Sequence, residues 1–371
     1  MTTSRTHTSA PMAASVRDFT LRYGFNIILV AVFVFFALTA PRFLALTNLI
    51  SLLHAAAPMM VIASGLAVVV MTGKLDISVG SVAFLTASIG TLLIVDEGFH
   101  PVAALAIMLL VGTLIGALNG FIITVLRVNP LITTLAMMVA LRGVALELTQ
   151  STNIALPVEL RRLGNVQIGP VFVDILIALG IMLLVHVLIT RAQFGRQIMA
   201  IGNDSDAAAR LGVRVDRVTF LAFVLSAFLA TIGGILTVLQ VGAVSRSIGN
   251  GYEFVAMSVV IIGGISLFGG EGSILPGVLR GVLILEIIRN GLNQLAVDPY
   301  AYRFVNGAII FIAMYADSLR SRLPTWVRVY DDEEDEIPDT SPDQASLESE
   351  HAGAPARKEA SRPPPRTPDD E

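Results

Sequence analysis

Apolar residues occur along this chain in long blocks and do not follow the period of an amphipathic helix or strand. Each block holds about 16 to 25 residues, the length that a helix needs to cross a hydrocarbon core about 30 Å thick. The ten blocks lie at residues 24–40, 49–71, 77–95, 101–126, 131–149, 171–190, 218–241, 253–268, 274–292 and 300–317. The pattern predicts an all-α, polytopic membrane protein with about ten transmembrane helices.

Composition agrees with this and adds a boundary near the C-terminus. The chain of 371 residues is 54% hydrophobic and only 15% charged, whereas an ordinary soluble domain is roughly 25% charged. Residues 331–371 contain 14 acidic and 4 basic residues and are rich in Pro and Ser. Such a segment buries too little apolar surface to fold alone. We therefore expect a cytoplasmic N-terminal segment (1–23), a transmembrane domain (24–317) and a disordered, acidic cytoplasmic tail (318–371).

The orientation is predicted from Lys and Arg in the short connections, which are enriched on the cytoplasmic side. If the N-terminus is inside, the cytoplasmic segments contain thirteen of these residues and the external loops contain four. The bias favours both termini in the cytoplasm.

A polar break separates the second and third blocks, from Thr72 to Ser81. Gly73 and Gly80 allow an irregular backbone, and Asp76 and Ser78 offer hydrogen-bond partners to the freed amides. Irregular backbone near a membrane is tolerated where it lines a cavity or is buried in protein. Two interpretations remain open on these grounds: a turn that lines a transport pathway, or a tight cytoplasmic turn capped by Asp76.

The longest polar connection within the membrane domain is residues 191–217, with five arginines. Its part from Asp204 to Leu211 has a helix-forming composition, with Asp204 or Ser205 as N-cap, and Gly212 is expected to end the helix. A short helix on the cytoplasmic face could dock a partner. A solvated basic loop that only sets the topology is the alternative.

Small and polar residues inside the blocks indicate how the helices pack. Gly112, Gly116 and Gly120 recur at every fourth position, which favours close helix packing within the bundle. Glu286 and Arg289 are spaced i, i+3 and are expected to pair. The glycine-rich segment 263–273 lacks the Gly-Lys-Ser/Thr end of a phosphate loop, so we interpret it as a flexible turn.

Catalytic chemistry is poorly supported by the sequence. The absence of cysteine excludes thiolate nucleophiles, thiolate metal sites and disulfides. No hydrolase or metalloprotease motif occurs, and no histidine has a second ligand at metal-binding spacing. We expect no catalytic residue, no metal and no cofactor, and hydrolysis of ATP would require a partner chain.

At four stretches the sequence resembles the permease subunits of bacterial ABC importers for ribose, arabinose, galactose, xylose and similar polyols, a family that includes autoinducer-2 permeases. Residues 73–81, Gly-Lys-Leu-Asp-Ile-Ser-Val-Gly-Ser, match a family pattern with glycine in place of Lys74. The run from Asn119-Gly120 through Asn129-Pro130 to Arg142-Gly143 is a second match. Residues 190–213 and the glycine-rich stretch 260–273 complete the set, so the likeness covers about 50–317.

This resemblance implies a non-catalytic permease that forms a homodimer in the bacterial plasma membrane with its pathway at the interface. A cytoplasmic ATP-binding subunit would dock on the coupling loop at 203–213, and a periplasmic or lipid-anchored binding protein would deliver a small sugar or polyol. The expected coupling residues are Asn203, Asp204, Ala207, Arg210, Leu211 and Gly212. The candidate pathway residues are Asp76, Ser78, Asn119, Arg142 and Asn293. Lys74 departs from the family pattern and puts the transfer of substrate contacts in doubt.

An ion-coupled secondary transporter of a small polar solute is the alternative function. It would use a buried carboxylate such as Glu147 or Glu286. The identity of the sugar is not encoded here, because much of the selection in such systems belongs to the binding protein.

Overall fold

The structure is a computed structural model that describes residues 12–298, with side chains from residue 24 onward. It also describes five isolated positions: Phe304, Gly307, Ala308, Phe311 and Tyr315. The predicted tenth span, 300–317, otherwise lies outside the described residues, and the predicted acidic tail lies outside them entirely.

Helices dominate the described part of the chain. In order they are α1 (Met12–Thr39), α2 (Leu46–Val70), α3 (Val79–Val95), α4 (Pro101–Thr124), α5 (Pro130–Leu148), α6 (Val158–Leu163), α7 (Val173–Arg191), α8 (Gln193–Asn203), α9 (Ser205–Arg210), α10 (Val215–Val241), α11 (Tyr252–Ile262) and α12 (Leu279–Gln294). A π-helical turn, Ile274–Val278, leads into α12.

Four two-residue strands lie in the connections of the described residues 12–298. They are β1 (Ile154–Ala155), β2 (Gln167–Ile168), β3 (Val171–Phe172) and β4 (Ala243–Val244). β1 pairs antiparallel with β4, and β2 pairs antiparallel with β3. The first pairing ties the connection after α5 to the connection after α10.

The first nine predicted spans each correspond to a helix. Among the described residues, five helices are long and apolar enough to cross a membrane: α2, α4, α5, α7 and α10. The eighth span differs, because α11 ends at Ile262, six residues before the predicted end. The ninth span begins with the π-helical turn, in which Leu275 has non-helical backbone angles. Both differences lie next to the glycine-rich segment 263–273.

α2 and α10 form the centre of the bundle. In the most apolar 18-residue stretch of each helix, 83% of the residues are buried in α2 and 67% in α10. The corresponding shares are 28% in α4, 22% in α5 and 33% in α7. The two central helices approach closely at Gly65, where a Cβ would lie 3.0–3.2 Å from atoms of Ser226 and Leu229. The outer helices direct their apolar side chains away from the core, as lipid contact requires.

The small residues of α4 pack within the bundle, as predicted. A Cβ at Gly112, Gly116 or Gly120 would lie within 3 Å of a side chain of α10. Small faces allow backbones to approach closely, and in lipid this packing replaces the missing hydrophobic driving force.

The connections meet in two groups at opposite ends of α10. Near its N-terminus, Arg127 forms a bidentate ion pair with Asp216, with distances of 2.7 and 2.8 Å. Near its C-terminus, the amide of Leu156 donates to the carbonyl of Gly242. Since α10 has 27 residues and a helix rises 1.5 Å per residue, the two ends are about 40 Å apart.

Candidate functional site

The polar break between α2 and α3 is organised around Asp76. Its Oδ1 accepts hydrogen bonds from the amide of Ser78 at 3.1 Å and from its hydroxyl at 2.6 Å. Its Oδ2 accepts one from the hydroxyl of Ser226 in α10 at 2.9 Å. Asp76 thus caps its own turn and also fixes that turn to the central helix, which goes beyond the capped-turn interpretation.

The same network reaches α4 and α5. The side-chain amide of Asn119 donates to the hydroxyl of Ser78 at 2.9 Å, and the hydroxyl of Ser81 donates to the carbonyl of Met138 at 2.8 Å. Asp76 is 1% exposed, and Ser78 and Asn119 are fully buried. Three of the five candidate pathway residues therefore lie together, with their polar groups directed at one another.

Arg142 lies apart from this network, on α5. Its guanidinium donates to the carbonyl of Gly249 at 2.7 Å and lies 5.5 Å from the centre of the Phe84 ring. Gly249 in turn touches Gly80, where a Cβ would lie 2.4 Å from the Gly249 carbonyl oxygen. Arg142 thus holds the segment before α11 against the start of α3.

Asn293, the fifth candidate, lines a cavity of about 430 Å³ on α12. A second cavity of about 310 Å³ adjoins it. The two share Ala55, Glu286 and Arg289 in their walls. We call the two together the polar cleft; α2, α10, α11 and α12 supply its walls.

An ion pair stands where the two cavities meet. Oε2 of Glu286 lies 3.0 Å from a guanidinium nitrogen of Arg289, which confirms the predicted pair. The Glu286 side chain is 8% exposed and that of Arg289 is 48% exposed. The guanidinium therefore partly faces the cleft while the carboxylate is largely covered.

The α10 wall of the cleft is fixed by Gln240. Its side-chain amide donates to the carbonyl of His54 at 2.7 Å and to a carboxylate oxygen of Asp174 at 2.5 Å. The His54 ring lies 4.0 Å from the ring of Phe172, in a stacked arrangement. This corner joins α2, α7 and α10 behind the cleft.

The predicted coupling helix is present as α9. The Asp204 side chain caps it by accepting hydrogen bonds from the amides of Asp206 at 2.9 Å and Ala207 at 3.0 Å. These bonds lower the pKa of Asp204 below its usual value, because they stabilise the charged form. Gly212 follows with φ +85°, a conformation that suits glycine. The predicted cap and end are both confirmed.

α9 presents an exposed surface. Asn203, Asp204, Ala207, Arg210, Leu211 and Gly212, the predicted coupling residues, are all exposed. Leu211 is 85% exposed, so its apolar side chain is open to contact from outside the chain. Within the helix only Ala208 is buried. α9 therefore packs against the rest of the protein at Ala208, and its other residues are exposed.

Gly202, near the end of α8, meets the glycine-rich segment 263–273 and the end of α2 through backbone contacts. A Cβ at Gly202 would lie 2.1 Å from both the amide of Gly270 and the carbonyl of Met71. Those two groups form a hydrogen bond of 3.0 Å. The glycine-rich segment 263–273 is thus a packed joint between α8 and the break after α2, and our interpretation of it as only a flexible turn was incomplete.

Lys74, the departure from the family pattern, lies at this same end of the bundle. Burial lowers its pKa, and the nearby Asp216 carboxylate opposes that shift. Its Nζ lies 3.5 Å from the carbonyl of Thr72. The lysine therefore sits beside the joint and is remote from the polar cleft.

Sequence reasoning missed α8 and most of the cleft. Phe194, Ile198 and Ile201 recur at helical spacing in α8, and this was the available signal for an amphipathic helix. The cleft residues Asn250 and Tyr252 had no such signal, because they follow an irregular segment. Within the described residues, no group of three His, Cys, Asp or Glu side chains could hold a metal ion.

Comparison with known proteins identifies the class. Residues 48–314 match the family described as the permease component of branched-chain amino acid transport systems. The chain is 32% identical over 302 residues to the ribose import permease protein of Escherichia coli (strain K12), covering 78% of this chain and 92% of that one. No solved structure matches.

Two further relatives are named as import permeases for other solutes. The galactose/methyl galactoside import permease protein of Escherichia coli (strain K12) is 30% identical over 320 residues, 80% of this chain and 94% of the relative. The autoinducer 2 import system permease protein of Photorhabdus luminescens is 31% identical over 265 residues, 70% of this chain and 78% of the relative. These matches do not favour an ion-coupled secondary transporter.

Members of this family are the non-catalytic, membrane-spanning components of their transport systems, and ATP hydrolysis belongs to a separate subunit. The apolar helices and the match over 267 of 371 residues agree with that role. The chain belongs to the permease family of ABC importers and is a multi-pass protein of the bacterial inner membrane.

Proposed function

We propose that this permease forms the translocation pathway for a small sugar or polyol. The proposal is supported by the names of the relatives, which include ribose and galactose import permeases. It is also supported by the polar cleft, whose walls carry amide, phenol and hydroxyl groups suited to sugar hydroxyls. A periplasmic or lipid-anchored binding protein would deliver the substrate, and the permease itself would bind no cofactor.

The observation that carries the mechanism is the contact of Gly202 with Gly270 and Met71. An ATP-binding subunit docked on α9 would move α8, and α8 abuts the backbone that leads into the Asp76 turn. The bond between Asp76 and Ser226 then links that turn to α10. Motion of the partner would thereby reach the centre of the bundle through backbone packing and two buried polar groups.

The candidate pathway residues take different roles in this proposal. Asn293 would contact substrate, since it lines the polar cleft. Asp76, Ser78 and Asn119 would keep the helix break in one geometry, and Arg142 would hold the segment before α11. The residues of α9 and its flanks, from Asn203 to Gly212, would bind the ATP-binding subunit.

We further propose ten transmembrane helices with both termini in the cytoplasm, and a homodimer with the pathway at its interface. Connections that this topology puts on one side are in contact, such as those containing Arg127 and Asp216. The paired β1 and β4 would both be external.

Reconstitution with the partner subunits tests the proposed function. The permease, its ATP-binding subunit and its binding protein are placed in proteoliposomes and offered labelled D-ribose, L-arabinose, D-xylose or D-galactose. We expect uptake of at least one sugar that requires ATP and persists when ion gradients are collapsed. Uptake that continues without ATP and stops when the gradient is removed would favour the secondary transporter.

A further inference from the structure

Some polar side chains that line the polar cleft form no hydrogen bond with the described residues of the protein. The cleft lies at the C-terminal end of α10, and Gln240 of that helix is one of its walls. The coupling helix α9 precedes the opposite end of α10. The cleft is therefore about 40 Å from the surface proposed to bind the ATP-binding subunit.

Some polar side chains in the cleft are already committed. The amide of Asn290 exchanges two hydrogen bonds with Asn48, at 3.0 and 3.1 Å, and also accepts one from Gln294. The amide protons of Gln240 are used by His54 and Asp174. Asn290 and Gln240 thus build the walls and have few groups left for a ligand.

Other side chains in the cleft remain available. Asn293 in the larger cavity and Asn250 in the smaller one make no side-chain hydrogen bond within residues 24–298. Tyr252 lines the smaller cavity beside Asn250, but its phenol already pairs with Thr237. The half-exposed Arg289 borders both cavities. An amide offers donors and an acceptor together, which matches the hydroxyl of a sugar. One free asparagine therefore lies on each side of the ion pair.

The charge of the cleft indicates a neutral ligand. Among the described residues that line it there is one carboxylate and one guanidinium, those of Glu286 and Arg289, and these are paired with each other. A charged solute would have to compete with that pair for its counter-ion, and leaving the largely covered carboxylate of Glu286 without its partner is costly. A neutral solute needs no such exchange.

The opposite wall of the cleft is apolar. Leu52, Ala55, Pro58 and Met59 of α2 form it. A monosaccharide has both hydroxyls and an apolar C–H face, so a site with one polar and one apolar wall suits it. The cavities, of about 430 and 310 Å³, fall in the range of small-molecule sites.

We propose that the polar cleft is a binding subsite for a neutral polyhydroxylated solute of monosaccharide size, with Asn293 and Asn250 as its contacts to the hydroxyls. This inference rests on the proposed function and deepens it by placing the sugar at named residues. The paired charges of Glu286 and Arg289 disfavour anions and cations as ligands.

Cysteine accessibility gives a direct test, because the natural chain contains no cysteine. The variants Asn293→Cys and Asn250→Cys are reconstituted with the ATP-binding subunit and the binding protein, and are treated with a membrane-impermeant maleimide. Asn165→Cys is the matched control, since Asn165 is an exposed asparagine outside the cleft. Uptake and labelling rate are measured with the sugar that the wild-type complex transports, and with gluconate as a charged probe.

We expect labelling at either cleft position to reduce uptake at least tenfold, and the transported sugar to slow labelling at least fivefold. Gluconate should give no protection, and labelling of Asn165→Cys should leave uptake unchanged. A second pair, Asn293→Ser and Asn250→Ser, should raise the half-saturating sugar concentration even if a cysteine variant fails to insert.

The two failures are distinguishable. A wild-type complex that transports none of the four sugars with ATP overturns the proposed function, and the subsite with it. If the wild type transports sugar but labelling neither blocks uptake nor responds to sugar, and the serine variants behave as wild type, only the subsite is overturned.

Discussion

The hydroxyl of Ser226 donates a hydrogen bond of 2.9 Å to Oδ2 of Asp76, across 150 residues of sequence. Both side chains are at most 1% exposed. An acceptor that loses its partner in such a place is not rescued by water, so this bond should matter for the stability of the whole bundle.

The first prediction concerns this bond. Ser226→Ala leaves one carboxylate oxygen of Asp76 without a donor, and we expect a loss of about 1–3 kcal/mol in the free energy of unfolding. Thermal denaturation of the purified protein in detergent measures it. Ser51→Ala is the control, because that hydroxyl bonds only to Thr47 within an exposed part of the same chain. Equal melting temperatures for the two variants would contradict the structural role.

The second prediction concerns the joint at Gly202. In Gly202→Ala the new Cβ would lie 2.1 Å from two backbone atoms, and backbone cannot yield as a side chain can. We expect insertion to persist while uptake falls at least tenfold. Gly180→Ala on α7 is the control, since nothing lies within 4 Å of its Cβ, and alanine favours the helix by up to about 1 kcal/mol. Wild-type uptake in Gly202→Ala would argue against transmission through this joint.

The third prediction tests the docking surface. Leu211→Ala removes an 85% exposed side chain, so the melting temperature should hardly change. Loss of the ATP-binding subunit on co-purification is expected, because this apolar side chain belongs to the proposed docking surface and would be removed from water only in the complex. Leu46→Ala, an exposed leucine at the start of α2, should keep the subunit bound. If both variants retain it, docking lies elsewhere.

The fourth prediction concerns the cap at Asp204. Asp204→Ala removes the acceptor for two amides and should weaken binding of the ATP-binding subunit, whereas Asp204→Asn keeps an acceptor and should stay close to wild type. The pKa of Asp204 is lowered, so its stabilisation is present above the ordinary value of about 4 and is lost only as pH falls through the lowered value. Binding of the wild type should accordingly be constant from pH 6 to 8; a decline there would point to another group.

The fifth prediction tests the orientation. Single cysteines at Asn165 and Ser247 should react with an impermeant maleimide added outside the cell, and one at Ala207 should react only after permeabilisation. All three positions are exposed, and the natural chain has no competing cysteine. The reverse pattern would mean that the termini are external.

The sequence predicts those parts of this fold that depend on local physics. Apolar blocks of this length form helices because a helix satisfies the backbone hydrogen bonds within a single segment, as lipid requires. The Asp204 cap and the Glu286–Arg289 pair were also predictable, since their partners are at most three residues apart.

Other features depend on contacts between distant residues and left no local signal. Gly202 meets Gly270 in the structure, and Asn48 meets Asn290 at a separation of 242 residues. The sequence indicated that Asp76 offers hydrogen bonds in the polar break, but nothing in it marked Ser226 as the partner. The cleft is assembled from four helices, and only Asn293 among its proposed contacts was a candidate beforehand.

Side-chain hydrogen bonds anchor α10 at two positions and thereby constrain the number of residues between them. Ser226 anchors it to Asp76, and Gln240, fourteen residues later, anchors it to Asp174 and His54. Inserting or deleting one residue between them would turn one anchor by about 100° relative to the other, since a helix has 3.6 residues per turn. Evolution can therefore vary the side chains on the lipid side of this helix freely, but a change in its length between the anchors must come as a whole turn or be absorbed as a bulge.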